Sequence, residues 1–126
     1  MGLISKIIVC VFGAVLLLIG AIGTFNPAEL SAQLGLELPS AVATGQVRAM
    51  IGAHYLAMGV VCLFAAARNL PALLFPIGLI EVMMVLARII AGINGEFDAS
   101  VVGPTVLELV MGATLLALSR RGFKTP

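Results

Sequence analysis

The sequence predicts an all-α protein: a transmembrane four-helix bundle with a short interfacial helix between spans one and two, forming one domain over residues 1–126. Composition is the first ground. Of 126 residues, 61% are hydrophobic and 10% charged, and the mean hydropathy is +1.19. A soluble domain is typically about 45–50% apolar and about 25% charged. So few charges cannot cover a water-facing surface. The second ground is four apolar runs, Ile7 to Phe25, Ala49 to Ala67, Ala72 to Ile93 and Val101 to Leu118. Each is near the roughly 17–25 residues that a spanning helix needs. The third ground is charge, which separates by sign among the connecting segments. A net charge of +1 gives no reason to expect a nucleic-acid partner.

Span one is expected over about residues 5–25, after the basic Lys6. Its apolar run exceeds the roughly 7–15 residues of a signal-peptide core, and "FNPAELSAQ" is a weak cleavage site, so a retained helix is expected. The next segment, "NPAELSAQLG", reads as a helix start: Asn26 as N-cap, Pro27 at the first position and Glu29 in the first turn. Gly35 is the expected stop, and Pro39 ends the segment. Leu30 and Leu34 fall on one side, which predicts a short helix lying in the interface with its apolar side down. Spans two, three and four are expected over about 45–67, 72–93 and 101–119.

Lys6, Arg68, Arg120, Arg121 and Lys124 belong to one set of connecting segments, which holds no acid. Glu29, Glu37, Glu96 and Asp98 belong to the other, joined only by Arg48 at the mouth of span two. Basic segments stay on the cytoplasmic side. Both termini are therefore expected on the cytoplasmic side of the membrane. The sequence has no Trp and one Tyr, so Phe25 and Phe97 at the outer rim, and Phe64, Phe75 and Phe123 at the inner rim, are expected as partial anchors. Cys10 and Cys62 lie in apolar runs without metal or redox spacing and read as buried small hydrophobes.

Membrane helices associate through close backbone approach, so small residues mark their seams. Gly13 and Gly20 recur at seven residues in span one, and Gly45, Gly52 and Gly59 in span two. Gly78 and Gly92 share a face of span three with Glu81, Val85 and Arg88; Gly112 shares a face of span four with Thr105 and Glu108. A left-handed bundle is the expected outcome.

The stretch "LIEVMMVLARIIAG" at 79–92 carries two charges in an apolar run. Each costs roughly 2.5–3.5 kcal/mol at mid-bilayer on insertion scales, so both should face other helices. Counted from the outer boundary at about 1.5 Å per residue, Arg88 lies about 9 Å deep and Glu108 about 12 Å deep. Level and opposite in charge, they are expected to pair. Glu81 lies about 20 Å from the outer edge by the same rise, and a bond to Arg88 would need near-full extension. A neutral, protonated Glu81 is the other reading. His54 and Tyr55 in span two complete a polar cluster with Arg48, Glu81, Arg88 and Glu108, in which two cations balance two carboxylates.

The cluster either fixes helix register or lines a binding site for a lipid-like or small anionic ligand. The function favoured is an accessory or binding module. The alternative is a small oligomeric proton-coupled transporter using Glu81 or Glu108. An enzyme with His54 as acid or base is a third class, without a nucleophile constellation to support it. No catalytic residue is assigned. No metal or other cofactor is expected, since His54 is the single histidine.

The motifs "VRAMIGAHYLAMGV" (47–60), "ARIIAGINGEFD" (87–98), "LELVMGATLLAL" (107–118) and "NPAEL…LGLELP" resemble a family of small bacterial four-span proteins described as a domain of unknown function. The resemblance covers nearly the whole chain. Its pattern falls on Arg48, Ala49, Gly52, Arg88, Gly95 and Glu108. Ile51 stands where the family has Tyr, Ala53 where it has a second Gly, and Asn94 where it has Asp. His54 and Glu81 lie outside the pattern. The resemblance implies fold and membrane location, and no activity. Small multidrug transporters fit less well: they carry a carboxylate in span one, and here no charge lies between Lys6 and Glu29.

Overall fold

The computed structural model describes residues 1–96 and 98–122, apart from the Arg121 side chain. Phe97, Phe123 and Lys124, expected as rim anchors and a basic-end charge, lie outside the described residues. Those described form helices without a strand: α1 (Leu3–Phe25), α2 (Pro27–Gln33), α3 (Ala41–Arg68), α4 (Pro71–Ile93) and α5 (Ala99–Ser119). All but α2 are long and apolar enough to cross a membrane. The protein is a multi-pass membrane protein.

Local chemistry sets the helix ends. Ser40 caps α3, its hydroxyl accepting from the Ala43 N–H at 3.1 Å, so this helix begins earlier than its apolar run. Asn26 precedes α2 as expected, but its side chain makes no capping bond; its carbonyl takes the Glu29 and Leu30 N–H groups instead. At the end of α2, Gly35 has φ +67°, and the Leu36 N–H reaches the Ser31 carbonyl at 2.8 Å. Gly95, at φ +75°, closes α4 in the same way, with Glu96 donating to Ala91. Glycine takes this left-handed backbone without a Cβ penalty, and the turn satisfies carbonyls that a helix end leaves free. At the start of α5, the Asp98 carboxylate accepts the Ser100 N–H at 2.8 Å, which holds its carboxyl below the usual range.

The bundle is two tight pairs, α1 with α3 and α4 with α5, with sparser contact between pairs. Glycines explain both. A Cβ on Gly52 would lie 2.5 Å from the Thr24 backbone nitrogen, and one on Gly59 would lie 2.8 Å from the Gly13 carbonyl oxygen. Gly20 approaches the Leu56 backbone nitrogen, and Gly13 packs on Cys62 and Leu63. In the second pair, a Cβ on Gly78 would lie 2.9 Å from the Leu116 nitrogen, and one on Gly112 would lie 3.1 Å from the Gly78 carbonyl oxygen.

Two glycines read as seam residues are not. Gly45 is exposed, with nothing within 4 Å of a Cβ. The reason is a π-helical segment, Val47–Gly52, between it and Gly52. Bonds of the i→i+5 type widen the turn, so seven residues no longer return to one face. Gly92 is also exposed; its carbonyl serves the end of α4 by accepting the Gly95 N–H. Cys62 is buried, whereas Cys10 lies exposed on the bundle surface, and both are free thiols.

The N-terminal amine donates to the Asn69 side chain, and Gly122 packs against Ala72. Met1 and Gly122 therefore lie at the α3–α4 end. Lys6, Arg68 and Arg120 belong to this basic end, where Arg68 sits 5.8 Å from the Phe64 ring centre. Gly35 and Ser100 approach at the opposite, acidic end. The filled core lies toward the basic end and includes Leu16, Cys62, Leu74, Ile77 and Leu115. Toward the acidic end the two pairs part around a cavity.

Candidate functional site

The close α4–α5 seam sets the central feature. Arg88 donates from Nε to Glu108 Oε2 and from Nη2 to Glu108 Oε1, each at 2.8 Å. This is the fork-on-carboxylate geometry that gives guanidinium–carboxylate pairs their strength. The Glu108 side chain is 5% exposed and that of Arg88 22%. The pairing expected from equal depth is present, and it turns both charges away from the outer surface of the bundle.

The pair forms part of the wall of a cavity of about 660 Å³. α2 contributes Leu30 and Gln33, and the segment after it Leu34 and Leu36, beside the acidic end. α3 contributes Met50, Ile51, His54 and Tyr55; α4 contributes Ile80, Glu81, Met84 and Arg88. α5 supplies Gly103, Pro104, Leu107, Glu108 and Met111, and α1 supplies Ile19. Ile80, Glu81 and Met111 are the lining residues farthest from the acidic end along their helices. A mostly apolar wall with few polar groups is the usual construction of a small-molecule site.

Glu81 is wholly buried, and neither carboxyl oxygen has a hydrogen-bond partner among the described residues. Gly112 packs against its Cβ and holds the stem in place. Tyr55 is buried, its hydroxyl donating only to the Met84 sulfur at 3.7 Å, a weak acceptor. His54 is exposed at the cavity wall, its ring edge-on to Tyr55 with centres 6.3 Å apart.

Arg48 departs from the expected cluster. It is exposed, does not line the cavity, and donates from Nη1 to the Thr24 carbonyl at the end of α1. The π segment that carries Arg48 rotates it out of register with Tyr55. The cavity therefore gathers three of the four expected charges, Glu81, Arg88 and Glu108. Among the described residues no group of three or more His, Cys, Asp or Glu side chains is placed to hold a metal.

Sequence reasoning did not single out Met84, Pro104, Leu107 or Met111, which share the cavity wall. A signal was available. Met84 stands four residues before Arg88, Pro104 four before Glu108 and Met111 three after it, so each continues a polar face at helical spacing.

Four apolar helices around a mostly apolar cavity with a few charged groups in its wall define a small integral membrane protein with an internal ion pair. The chain belongs to the family described as "Domain of unknown function (DUF4345)", whose model matches residues 4–119. No curated protein and no solved structure is significantly similar to it.

Proposed function

We propose that the protein is a membrane-embedded binding or accessory module whose cavity holds one lipid-like molecule. The observation that carries this is the cavity itself: about 660 Å³ between two helix pairs that are each tightly packed. Glycine seams hold each pair together, and the pairs part around Glu81, Arg88 and Glu108. A bundle that needed the ion pair for register alone would have no use for an opening of this size. Sites for small ligands run to about 300–1,000 Å³.

The test is mass spectrometry of the protein released gently from its membrane. One small molecule per chain is expected on the wild-type protein. Met111→Trp, which fills the cavity from α5, should lose it while remaining folded. Wild-type protein that is consistently empty would remove the reading.

The resemblance to small bacterial four-span proteins supports a bacterial inner-membrane location, and the distribution of charge supports both termini in the cytoplasm, because basic segments resist translocation. A reporter fused after residue 126 should be active only on the cytoplasmic side, and one inserted between Glu96 and Asp98 only on the outer side. The reverse pattern would invert the orientation.

A further inference from the structure

We infer that the occupant of this cavity is an amphiphile with a protonated amine at its polar end, bound with that ammonium on Glu81 and its apolar body between the helix pairs. The inference deepens the proposed function and rests on it.

The argument is one of charge and unfilled hydrogen-bonding capacity. Arg88 and Glu108 satisfy each other through two bonds, so the pair is formally neutral and both Glu108 oxygens are engaged. Glu81 has no such partner. It is wholly buried in the wall of the cavity, and both of its oxygens lack a donor among the described residues. Arg48, the cation that could have balanced it, is held at the Thr24 carbonyl and does not reach the cavity. The ionised cavity thus carries one uncompensated negative charge in a place where neutrality is strongly favoured.

An ammonium supplies what is missing, both the positive charge and up to three N–H donors. The Tyr55 hydroxyl, which donates to the Met84 sulfur and shares the cavity wall with Glu81, keeps its oxygen lone pairs as a further acceptor. An anionic head would place a second negative charge beside Glu81, with Arg88 already committed to Glu108. The anionic ligand allowed by the sequence is therefore disfavoured by the arrangement of the side chains.

The experiment uses three ten-carbon probes that differ only in the polar end: decylamine, decanol and decanoate. Each is added at equal concentration to the full-length protein in lipid nanodiscs at neutral pH, and retention is read by native mass spectrometry. Decylamine should be retained about tenfold better than either other probe, a factor that corresponds to about 1.4 kcal/mol. Glu81→Gln should reduce decylamine to the level of decanol and leave decanol unchanged. Glu81→Asp, which keeps the charge but withdraws it by one methylene, provides a second variant if the first does not accumulate, and should lower decylamine retention alone. The order of the three probes on the wild-type protein needs no variant. Equal retention of all three, or a preference for decanoate, overturns the ammonium assignment and leaves the cavity as a site for some other molecule. Retention of none also overturns it, while the proposed function is decided separately by the molecule carried from the membrane.

Discussion

Arg88→Met is expected to destabilise the protein by about 3–5 kcal/mol, Glu108→Leu by a similar amount, and the double variant by much less than their sum. The expectation follows from the cost of leaving one ion alone. Glu108 is almost wholly buried, and without the guanidinium its carboxylate would face the cavity and apolar walls uncompensated. Arg88 without Glu108 would lose both of its bonds. Removing both charges leaves an apolar contact between α4 and α5 and no stranded ion. Unfolding by a denaturing detergent in mixed micelles, followed by circular dichroism, measures the three variants on one scale. Strictly additive losses would mean that the two side chains do not act as a pair. The double variant also separates stability from binding, because it removes two polar groups from the cavity wall.

The second large effect is expected at Gly52. Gly52→Ala places a methyl group 2.5 Å from the backbone nitrogen and the hydroxyl of Thr24, a contact that only a separation of α1 from α3 can relieve. A loss of about 3 kcal/mol or more is expected, at the upper end of what overpacking produces, because a backbone atom cannot rotate away. Gly45→Ala is the control. It meets nothing within 4 Å and lies in a helix, where alanine is favoured over glycine by roughly 0.5–1 kcal/mol, so it should be neutral or slightly stabilising. The same unfolding measurement applies. Equal tolerance at the two positions would show that the α1–α3 seam does not depend on Gly52.

These two glycines also show where the sequence is and is not legible. The spans could be read because lipid demands about 20 apolar residues and few charges, a requirement that composition satisfies or fails without reference to any partner. The Arg88–Glu108 pair could be read because depth along a helix is a simple count, and two opposite charges at one depth have few alternatives. Gly45 misled because its spacing to Gly52 assumes uniform helical turns, and nothing in "VRAMIG" announces the wider turn found at Val47–Gly52. The same local change carried Arg48 away from the cluster, so the expected balance of two cations and two carboxylates became one pair and one orphan. Gly92 misled because a glycine near a helix end can serve packing or termination, and one-dimensional spacing does not separate them. A binding site at the polar cluster is one of the two readings the sequence allows, but the size of the cavity could not be read. The cavity exists because the α1–α3 and α4–α5 seams are tighter than the contacts between pairs, a comparison that requires all four helices in place.

The central claim is that the faces carrying Glu81, Arg88 and Glu108 bound a cavity that a small molecule can enter, while the neighbouring faces meet lipid. The most direct test is the reactivity of single cysteines, introduced after Cys10 and Cys62 are replaced by alanine. Met84 lines the cavity, whereas Leu86, two residues nearer the acidic end, is exposed on the bundle surface. A small charged methanethiosulfonate reacts with the thiolate, which forms where water reaches and not among acyl chains. Met84→Cys should be modified at least about tenfold faster than Leu86→Cys, even though Leu86 lies closer to the helix end. Equal rates, or faster modification at Leu86→Cys, would contradict the account.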